Sequence, residues 1–221
     1  MQRIAAGLYL LHSTRPANAY LIEGPSDLTL LDAGYARSAD ALVDELRDNG
    51  FDFKEVARVV LTHAHGDHAG GVPELSRRRR FKVYAHPAEV PTLEGRAPGK
   101  GRLRGALGFL HGWGAGEPIE SVIALEPGMP VRGLSQWQVV HSPGHTPGSL
   151  SLFHPAGQIL LCGDALSNRG GRLHLPRNWD DEAAARGSAK SLAALDCDIL
   201  CCGHGPVVRG GAFRFIESLL R

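Results

Sequence analysis

The sequence predicts a single-domain α/β fold, and three observations support this prediction. Short apolar segments rich in β-branched residues recur between clusters of Gly, Pro, Asp and Ser, which is typical of buried strands. Segments with apolar residues at helical spacing follow such strands in both halves of the chain. The length of 221 residues suits one domain with a substantial core, and 43% hydrophobic and 21% charged residues are ordinary values for a globular protein.

In the first half of the chain, antiparallel strands are predicted to give way to alternating strands and helices. Turn residues separate the first three apolar runs, which predicts a meander. Ser38 is placed to cap the first helix, and Gly50 is placed to end it. The predicted elements are strands at 7–12, 17–22 and 28–32, a helix at 38–50, a strand at 56–61, a helix at 72–80 and a strand at 82–85.

The second half repeats the succession of strands and helices after an irregular, glycine-rich segment. That segment, residues 95–116, contains eight glycines, and it is interpreted either as a lid that faces the substrate or as a surface loop or dimer contact. Leu103, Leu107 and Leu110 have the spacing of one face of a short helix within it. The elements predicted beyond it are strands at 136–141, 149–154 and 158–162, a helix at 180–195, a strand at 198–202 and a closing helix at 211–220.

The densest chemistry in the sequence follows the apolar strand at 56–61. Four potential metal ligands, His63, His65, Asp67 and His68, lie within six residues. Side chains two residues apart share one side of an extended chain, so His63 and His65 can converge on one ion. Gly66 permits a sharp turn that directs Asp67 and His68 to a neighbouring position, and two adjacent metals are therefore predicted. The competing interpretation, surface histidines at the end of a strand, does not explain so complete a run.

This run, from Thr62 to Gly71, resembles the signature of the metallo-β-lactamase-fold superfamily, whose members are mostly hydrolases with one or two metals between two β-sheets. Three later segments resemble the later ligand segments of that family, in the family's order. They are residues 142–149 (SPGHTPGS), 160–164 (LLCGD) and 202–206 (CGHGP). The resemblance implies a four-layer α-β-β-α sandwich over residues 1–221, an arrangement that the periodicity alone does not select.

On the family pattern, seven residues hold two divalent metal ions. They are His63, His65 and His145 for the first metal, Asp67, His68 and His204 for the second, and Asp164 as the bridge between them. Imidazole and carboxylate without thiolate suit zinc, which we expect, and also manganese or iron. Asp67 is further expected to orient the attacking hydroxide and to accept or relay a proton, which makes it the expected catalytic residue.

Within the superfamily, the segments around His145 and Asp164 resemble the glyoxalase II-like branch, which includes thioesterases, lactonases and persulfide dioxygenases. The resemblance implies a hydrolase that uses a metal-bound hydroxide on an ester, thioester or lactone bond of a small molecule. The alternatives are a mononuclear iron persulfide dioxygenase, with ligands at His63, His145 and Asp164, and a phosphodiesterase or nuclease. Lactamases of this superfamily commonly have a cysteine in place of the aspartate that matches Asp164, which argues against antibiotic hydrolysis.

One departure from the glyoxalase II pattern bears on the substrate. Those enzymes usually have an additional C-terminal helical region for their glutathione thioester, whereas 17 residues follow His204. This departure counts against a glutathione conjugate as the substrate. Arg169 and Arg172, which follow Asp164, are interpreted either as contacts for a substrate carboxylate or as solvated loop charges.

Residues outside the ligand set have supporting roles on the same pattern. Asp32 ends a strand, and it is expected either to support the metal ligands from behind or to be a turn residue. His86 is expected to be a packed or supporting residue, because the ligand set is complete without it. The cysteines are expected to be small buried hydrophobic residues; they are Cys162, Cys197, Cys201 and Cys202.

Charge and hydropathy limit the classes of partner. The net charge of +1 gives no general attraction to nucleic acid or to an anionic membrane, so a small-molecule substrate is expected, with a homodimer as a further possibility. No apolar run approaches the length of a membrane span. The apolar stretch near the N-terminus suits a first strand better than a secretion signal, and a cytoplasmic location is therefore expected.

Overall fold

A computed structural model describes residues 1–97, 116–176 and 178–220. Most of the predicted insert at 95–116, including the helix predicted around Leu107, lies outside the described residues. The chain forms two compact units, Met1–Ala85 with Glu89–Ala124 and His86–Ala88 with Leu125–Arg221. The first unit contains a seven-stranded sheet, and the second contains a four-stranded sheet and a two-stranded hairpin. Strands and helices occur in both halves, which confirms the predicted α/β class.

The strands of the first unit lie side by side in the order in which the chain forms them. They are β1 (Gln2–Ala5), β2 (Leu8–Leu11), β3 (Ala19–Glu23), β4 (Leu28–Leu31), β5 (Val56–Val60), β6 (Lys82–Ala85) and β7 (Ile123–Ala124). The first four strands pair antiparallel, which confirms the meander, and β4 to β7 pair parallel. The sequence prediction missed β1 and β7, because such short edge strands contain too few residues to establish an alternating pattern.

Helices connect the parallel strands of the first unit. The longest of those that the structure describes, α1 (Ala39–Asp48), joins β4 to β5 and buries Leu42 and Leu46, each of which contributes about 1.5–3 kcal/mol of hydrophobic stabilisation. Ser38 immediately precedes α1 as predicted, but its side chain makes no capping hydrogen bond. The cause is the 3-10 turn Ala36–Ser38, which already holds Ser38 in a helical conformation. The shorter helices are α2 (Gly66–Ala69), α3 (Val72–Arg78) and α4 (Val90–Leu93).

The second unit contains the remaining strands and helices. They are β8 (Gln138–His141), β9 (Leu150–His154), β10 (Ile159–Gly163), β11 (Ser167–Arg169), β12 (Arg172–His174), α5 (Glu182–Ala193), β13 (Ile199–Cys202) and α6 (Ala212–Ser218). The sheet order is β13-β10-β9-β8, and β13 runs parallel to β10, so α5 belongs to a crossover connection. None of the helices that the structure describes has the length and apolar character needed to cross a membrane.

The cysteines are buried as predicted. Cys162, Cys197, Cys201 and Cys202 are at most 1% exposed and all are thiols. Burial raises the pKa of Cys197 to about 12, and it raises the pKa of Cys162 as well. Because the thiolate is the reactive form, the raised pKa values indicate that Cys162 and Cys197 act as packing groups rather than as nucleophiles.

Glu45 provides a pH-dependent anchor for the first unit. Its carboxylate on α1 accepts hydrogen bonds from the backbone N–H of His12 at 2.9 Å and of Ser13 at 2.8 Å, and it pairs with the amino group of Met1. Burial favours a higher pKa, but the amino group and the amides outweigh it, and the pKa of Glu45 falls from 4.5 to about 2. The carboxylate therefore stabilises the fold wherever it is ionised.

We expect Glu45→Gln to lower the free energy of unfolding at pH 7 by about 1–2 kcal/mol, which is less than the pKa shift alone implies because water screens this half-buried carboxylate. Because the folded pKa lies below the unfolded value, this contribution is complete above pH 4.5 and is lost as the pH falls toward 2. Urea unfolding of both proteins at several pH values between 7 and 3 measures the difference, which should shrink below pH 4.5. A difference that is independent of pH would show that the charge of Glu45 is not responsible.

Candidate metal centre

The first unit holds four of the predicted ligands at the end of β5. The chain leaves this strand through the Thr62–His65 segment, and α2 then begins at Gly66. The rings of His63 and His68 are fully buried, whereas His65 and Asp67 are half-buried. His63 Nε2 lies 3.1 Å from His65 Nδ1, and His68 Nε2 lies 3.7 Å from Asp67 Oδ2. The run thus forms two adjacent pairs of donor atoms, as the sequence predicts.

The second unit brings together the other three predicted ligands. His145 lies in the loop between β8 and β9, Asp164 directly follows β10, and His204 follows β13. Asp164 Oδ2 lies 3.6 Å from His145 Nε2 and 3.4 Å from His204 Nε2. One carboxylate oxygen is therefore placed between two imidazole nitrogens, which is the arrangement expected of a bridging ligand.

The donor spacings fit a divalent metal. Zinc bonds to nitrogen and oxygen of about 2.0–2.2 Å place neighbouring ligand atoms of a tetrahedron about 3.3–3.6 Å apart. The separations within the two units, from 3.1 to 3.7 Å, lie around this value. All donors are imidazole nitrogens or carboxylate oxygens, a set that suits zinc, iron and manganese.

Hydrogen bonds at Nδ1 orient three of the histidines. His68 Nδ1 donates to Asp32 Oδ2 at 2.7 Å, and His145 Nδ1 donates to the Asn178 carbonyl at 2.5 Å. His63 Nδ1 lies 3.0 Å from Thr62 Oγ1, whose own proton goes to Asp32 Oδ2. In each ring, Nδ1 carries the proton and Nε2 carries the lone pair. Nε2 is the nitrogen that faces the other donors.

Asp32 lies at the centre of this hydrogen-bond network in the first unit. Besides His68 and the Thr62 hydroxyl, its carboxylate accepts the Thr62 amide at 2.8 Å, and its side chain is buried. Its backbone is left-handed, with φ of 62°, a conformation that aspartate tolerates better than most residues. Gly71 is required beside it, because a Cβ at Gly71 would lie 2.2 Å from the Ala33 carbonyl. The contacts confirm that Asp32 supports the predicted ligand His68 and its neighbour Thr62 from behind.

Asp32→Asn is expected to weaken Zn²⁺ binding about 10–100-fold, because an amide cannot accept all of the hydrogen bonds that the carboxylate accepts. Asparagine tolerates the left-handed backbone, so the fold should persist. Competition with a chromophoric chelator measures the affinity. Asp27→Asn is the matched control. It makes the same change of side chain in a carboxylate that pairs with Arg58, which is not a predicted ligand. Equal affinities of Asp32→Asn and the wild type would contradict the role of Asp32.

The hairpin β11–β12 is a feature that the sequence prediction missed. It holds the His204 loop, because the Asn168 amide donates to the His204 carbonyl at 3.1 Å and Asn168 Nδ2 donates to the Pro206 carbonyl at 2.8 Å. Arg172 is exposed and Arg169 is half-buried near the tip of this hairpin. A role of these arginines in substrate binding remains a prediction.

His86 is a packed residue, as predicted. Its ring stacks on His141 with centroids 4.2 Å apart and planes 4° apart, and its Nδ1 accepts the Ala88 amide. Burial first, and then the charge of His141, lower the pKa of His86. His141 Nε2 donates to the Pro147 carbonyl at 2.9 Å, so this pair ties down the loop that carries His145.

Comparisons with known proteins agree with this geometry. The family model described as the Metallo-beta-lactamase superfamily matches residues 12–204. The probable metallo-hydrolase YflN of Bacillus subtilis (strain 168) is 32% identical over 222 residues, which cover 90% of this chain and 84% of YflN. A hydroxyacylglutathione hydrolase of Xylella fastidiosa (strain M12) is 34% identical over 157 residues, which cover 70% of this chain and 49% of that protein. This chain thus spans about half the length of that enzyme.

A solved structure extends the comparison to three dimensions. The protein TTHA1623, crystallised in a di-iron-bound form, superimposes with a TM-score of 0.71 and 30% identity. The match covers 91% of this chain and 93% of that chain. With the family match, it confirms the fold that the ligand run predicts.

Proposed function

Because this chain belongs to the metallo-β-lactamase superfamily and is a metallohydrolase of that fold, we propose that it hydrolyses thioester or ester bonds of small molecules. The observation that carries the proposal is the set of oriented donors. Each unit presents imidazole nitrogens and carboxylate oxygens at the spacing of neighbouring metal ligands. A set with no thiolate is suited to hydrolysis by metal-activated water.

The proposed ligand set is the one that the resemblance implies. Two divalent ions would be held by His63, His65, Asp67, His68, His145, Asp164 and His204. When bound, such ions would lower the pKa of a coordinated water toward about 7 and polarise the carbonyl of the substrate. The histidines must be neutral to bind, and the contacts at Nδ1 of His63, His68 and His145 keep the neutral tautomer that presents Nε2.

Asp67 is the residue to which we assign proton transfer. Its carboxylate is half-buried beside His68, so it can accept a proton at the reacting centre and pass it to solvent. The charge of Asp67 also acts on Tyr35. Burial first, and then the charge of Asp67, raise the pKa of this phenol.

Similarity supports a thioester as the first substrate class to test. The Xylella fastidiosa relative is a hydroxyacylglutathione hydrolase, and the match covers 70% of this chain. This chain spans about half of that enzyme. The similarity therefore supports cleavage of a thioester bond more than it supports recognition of the glutathione group. The net charge of +1 supports a small molecule over a nucleic acid.

Metal content and hydrolysis, measured on one preparation, test the proposal. We expect about two zinc ions per chain, and hydrolysis of S-acyl thioesters that is lost on chelation and restored by Zn²⁺. 4-Nitrophenyl acetate, a γ-lactone and bis(4-nitrophenyl) phosphate serve as comparison substrates. Faster cleavage of the phosphodiester would overturn the proposal in favour of a phosphodiesterase.

Iron is the alternative occupant that a specific observation favours, because TTHA1623 was crystallised in a di-iron-bound form. Two irons per chain with thioester hydrolysis would change the metal and leave the reaction as proposed. One iron per chain, no thioester hydrolysis and oxygen consumption with glutathione persulfide would replace the hydrolase with a dioxygenase.

A further inference from the structure

Two buried carboxylates contact the backbone of the ligand run. Within the described part of the chain, Asp32, Arg58 and Glu89 are the residues of the Asp, Glu, Lys and Arg types that are less than 9% exposed. Arg58 pairs with Asp27 on the sheet, and Asp32 supports Thr62 and His68. Glu89 is 3% exposed, and neither the ligand set nor the sequence pattern accounts for it.

Glu89 reaches the centre of the His-x-His segment. Its Oε2 accepts a hydrogen bond of 2.9 Å from the backbone N–H of Ala64, the residue between His63 and His65. Ala64 is itself buried, so its amide has little access to water as an alternative acceptor. The bond joins residues that are 25 positions apart in the sequence.

The main chain of Glu89 is fixed as firmly as its side chain. It lies at the start of α4, and its carbonyl accepts the amides of Thr92 at 3.1 Å and Leu93 at 3.0 Å. The Leu93 carbonyl in turn accepts the Ile119 amide, which ties this turn to the segment before β7. The carboxylate is thus presented to Ala64 from a rigid support.

The peptide group that donates this hydrogen bond controls the two imidazoles. It links His63 to Ala64, so its rotation changes ψ of His63 and moves His65 relative to His63. The separation of 3.1 Å between His63 Nε2 and His65 Nδ1 depends on that rotation. An acceptor held in place by the surrounding structure therefore suits a contact that must keep two ligands at a fixed spacing.

We propose that Glu89 is a positioning residue, which fixes the Ala64 amide and thereby sets His63 and His65 at the spacing that a shared metal ion requires. The inference rests on the proposed function, since it presupposes that these two histidines are ligands. It adds a contact from α4 to the support that Asp32 gives from the end of β4.

Substitution with matched side chains tests the proposal. Glu89→Met keeps the volume and removes the acceptor, Glu89→Gln keeps an acceptor at the same reach, and Glu89→Asp shortens the reach by one methylene. The probes are Zn²⁺, titrated against a chromophoric chelator, and Co²⁺, whose visible absorption reports ligand geometry. Glu45→Met is the control, because Glu45 also accepts backbone amides, at His12 and Ser13, away from the ligand run.

We expect Glu89→Met to weaken the tighter Zn²⁺ site about 10–100-fold and to alter the Co²⁺ spectrum. Glu89→Gln should retain most of the Zn²⁺ affinity. Glu45→Met should lower the unfolding midpoint and leave the Zn²⁺ affinity unchanged. Wild-type affinity in a folded but less stable Glu89→Met would overturn the proposal, since Glu89 would then act on stability alone. If Glu89→Met does not fold, equal affinities of Glu89→Gln and Glu89→Asp overturn it. Failure of the wild type to bind Zn²⁺ would instead refute the metal site itself.

Discussion

Replacing Asp67 with alanine is expected to lower the rate of thioester hydrolysis at least about 100-fold, because proton transfer by a placed side chain contributes about 10²–10⁴-fold. The same change removes a proposed ligand beside His68, so the metal content should fall from about two ions per chain toward one. Steady-state kinetics and elemental analysis of the same preparation measure the two effects together.

Asp67→Asn separates ligation from proton transfer. The amide keeps an oxygen that can bind a metal, but it cannot accept a proton. We expect this variant to retain more of the second ion than Asp67→Ala while its kcat remains low. A variant that loses one ion and hydrolyses at the wild-type rate would contradict the assignment of Asp67, and it would place the chemistry on the other ion.

The ligand run could be predicted from sequence because its geometry is local. His63 and His65 converge through the alternation of an extended chain, and Asp67 with His68 follow on the first turn of α2. His145, Asp164 and His204 were placed by resemblance rather than by pattern. Each lies just after a strand or in a strand connection, and the structure brings these three together within the second unit.

The supporting contacts could not be predicted in the same way, because they join distant parts of the chain. The bond from Ala64 to Glu89 spans 25 positions, and the bond from Asn168 to Pro206 spans 38. Neither Glu89 nor Asn168 lies in a periodic pattern or a spaced motif that would single it out. Asp32 is the exception, because its position at the end of an apolar strand offered a clue.

Local conformation also overrode simple rules at element boundaries. Ser38 has the residue type of a helix cap, yet the 3-10 turn before α1 prevents its side chain from capping. The β11–β12 hairpin has three-residue strands, and the sequence suggested only a loop there. Its two glycines, Gly170 and Gly171, both have positive φ and form the turn between the strands.

That hairpin makes Gly205 the most constrained position next to a predicted ligand. Gly205 follows His204 with φ of 87°, and a Cβ there would lie 1.7 Å from the carbonyl oxygen of Asn168. The obstacle is backbone, so it cannot move aside as a side-chain end would. The amide of Asn168 donates to the His204 carbonyl, which means that any displacement of the hairpin also displaces the ligand loop.

Gly205→Ala is therefore expected to lower the free energy of unfolding by about 2–5 kcal/mol, from the left-handed backbone and the clash together. It should also weaken the binding of the metal ion that His204 is proposed to hold, which Zn²⁺ titration measures. Gly210→Ala is the matched control: its φ of 81° imposes the same backbone cost, but nothing lies within 4 Å of its Cβ, so a loss of about 1–2 kcal/mol is expected. Equal losses of stability and equal metal affinity in the two variants would show that the hairpin yields to the added methyl group and does not hold His204 in place.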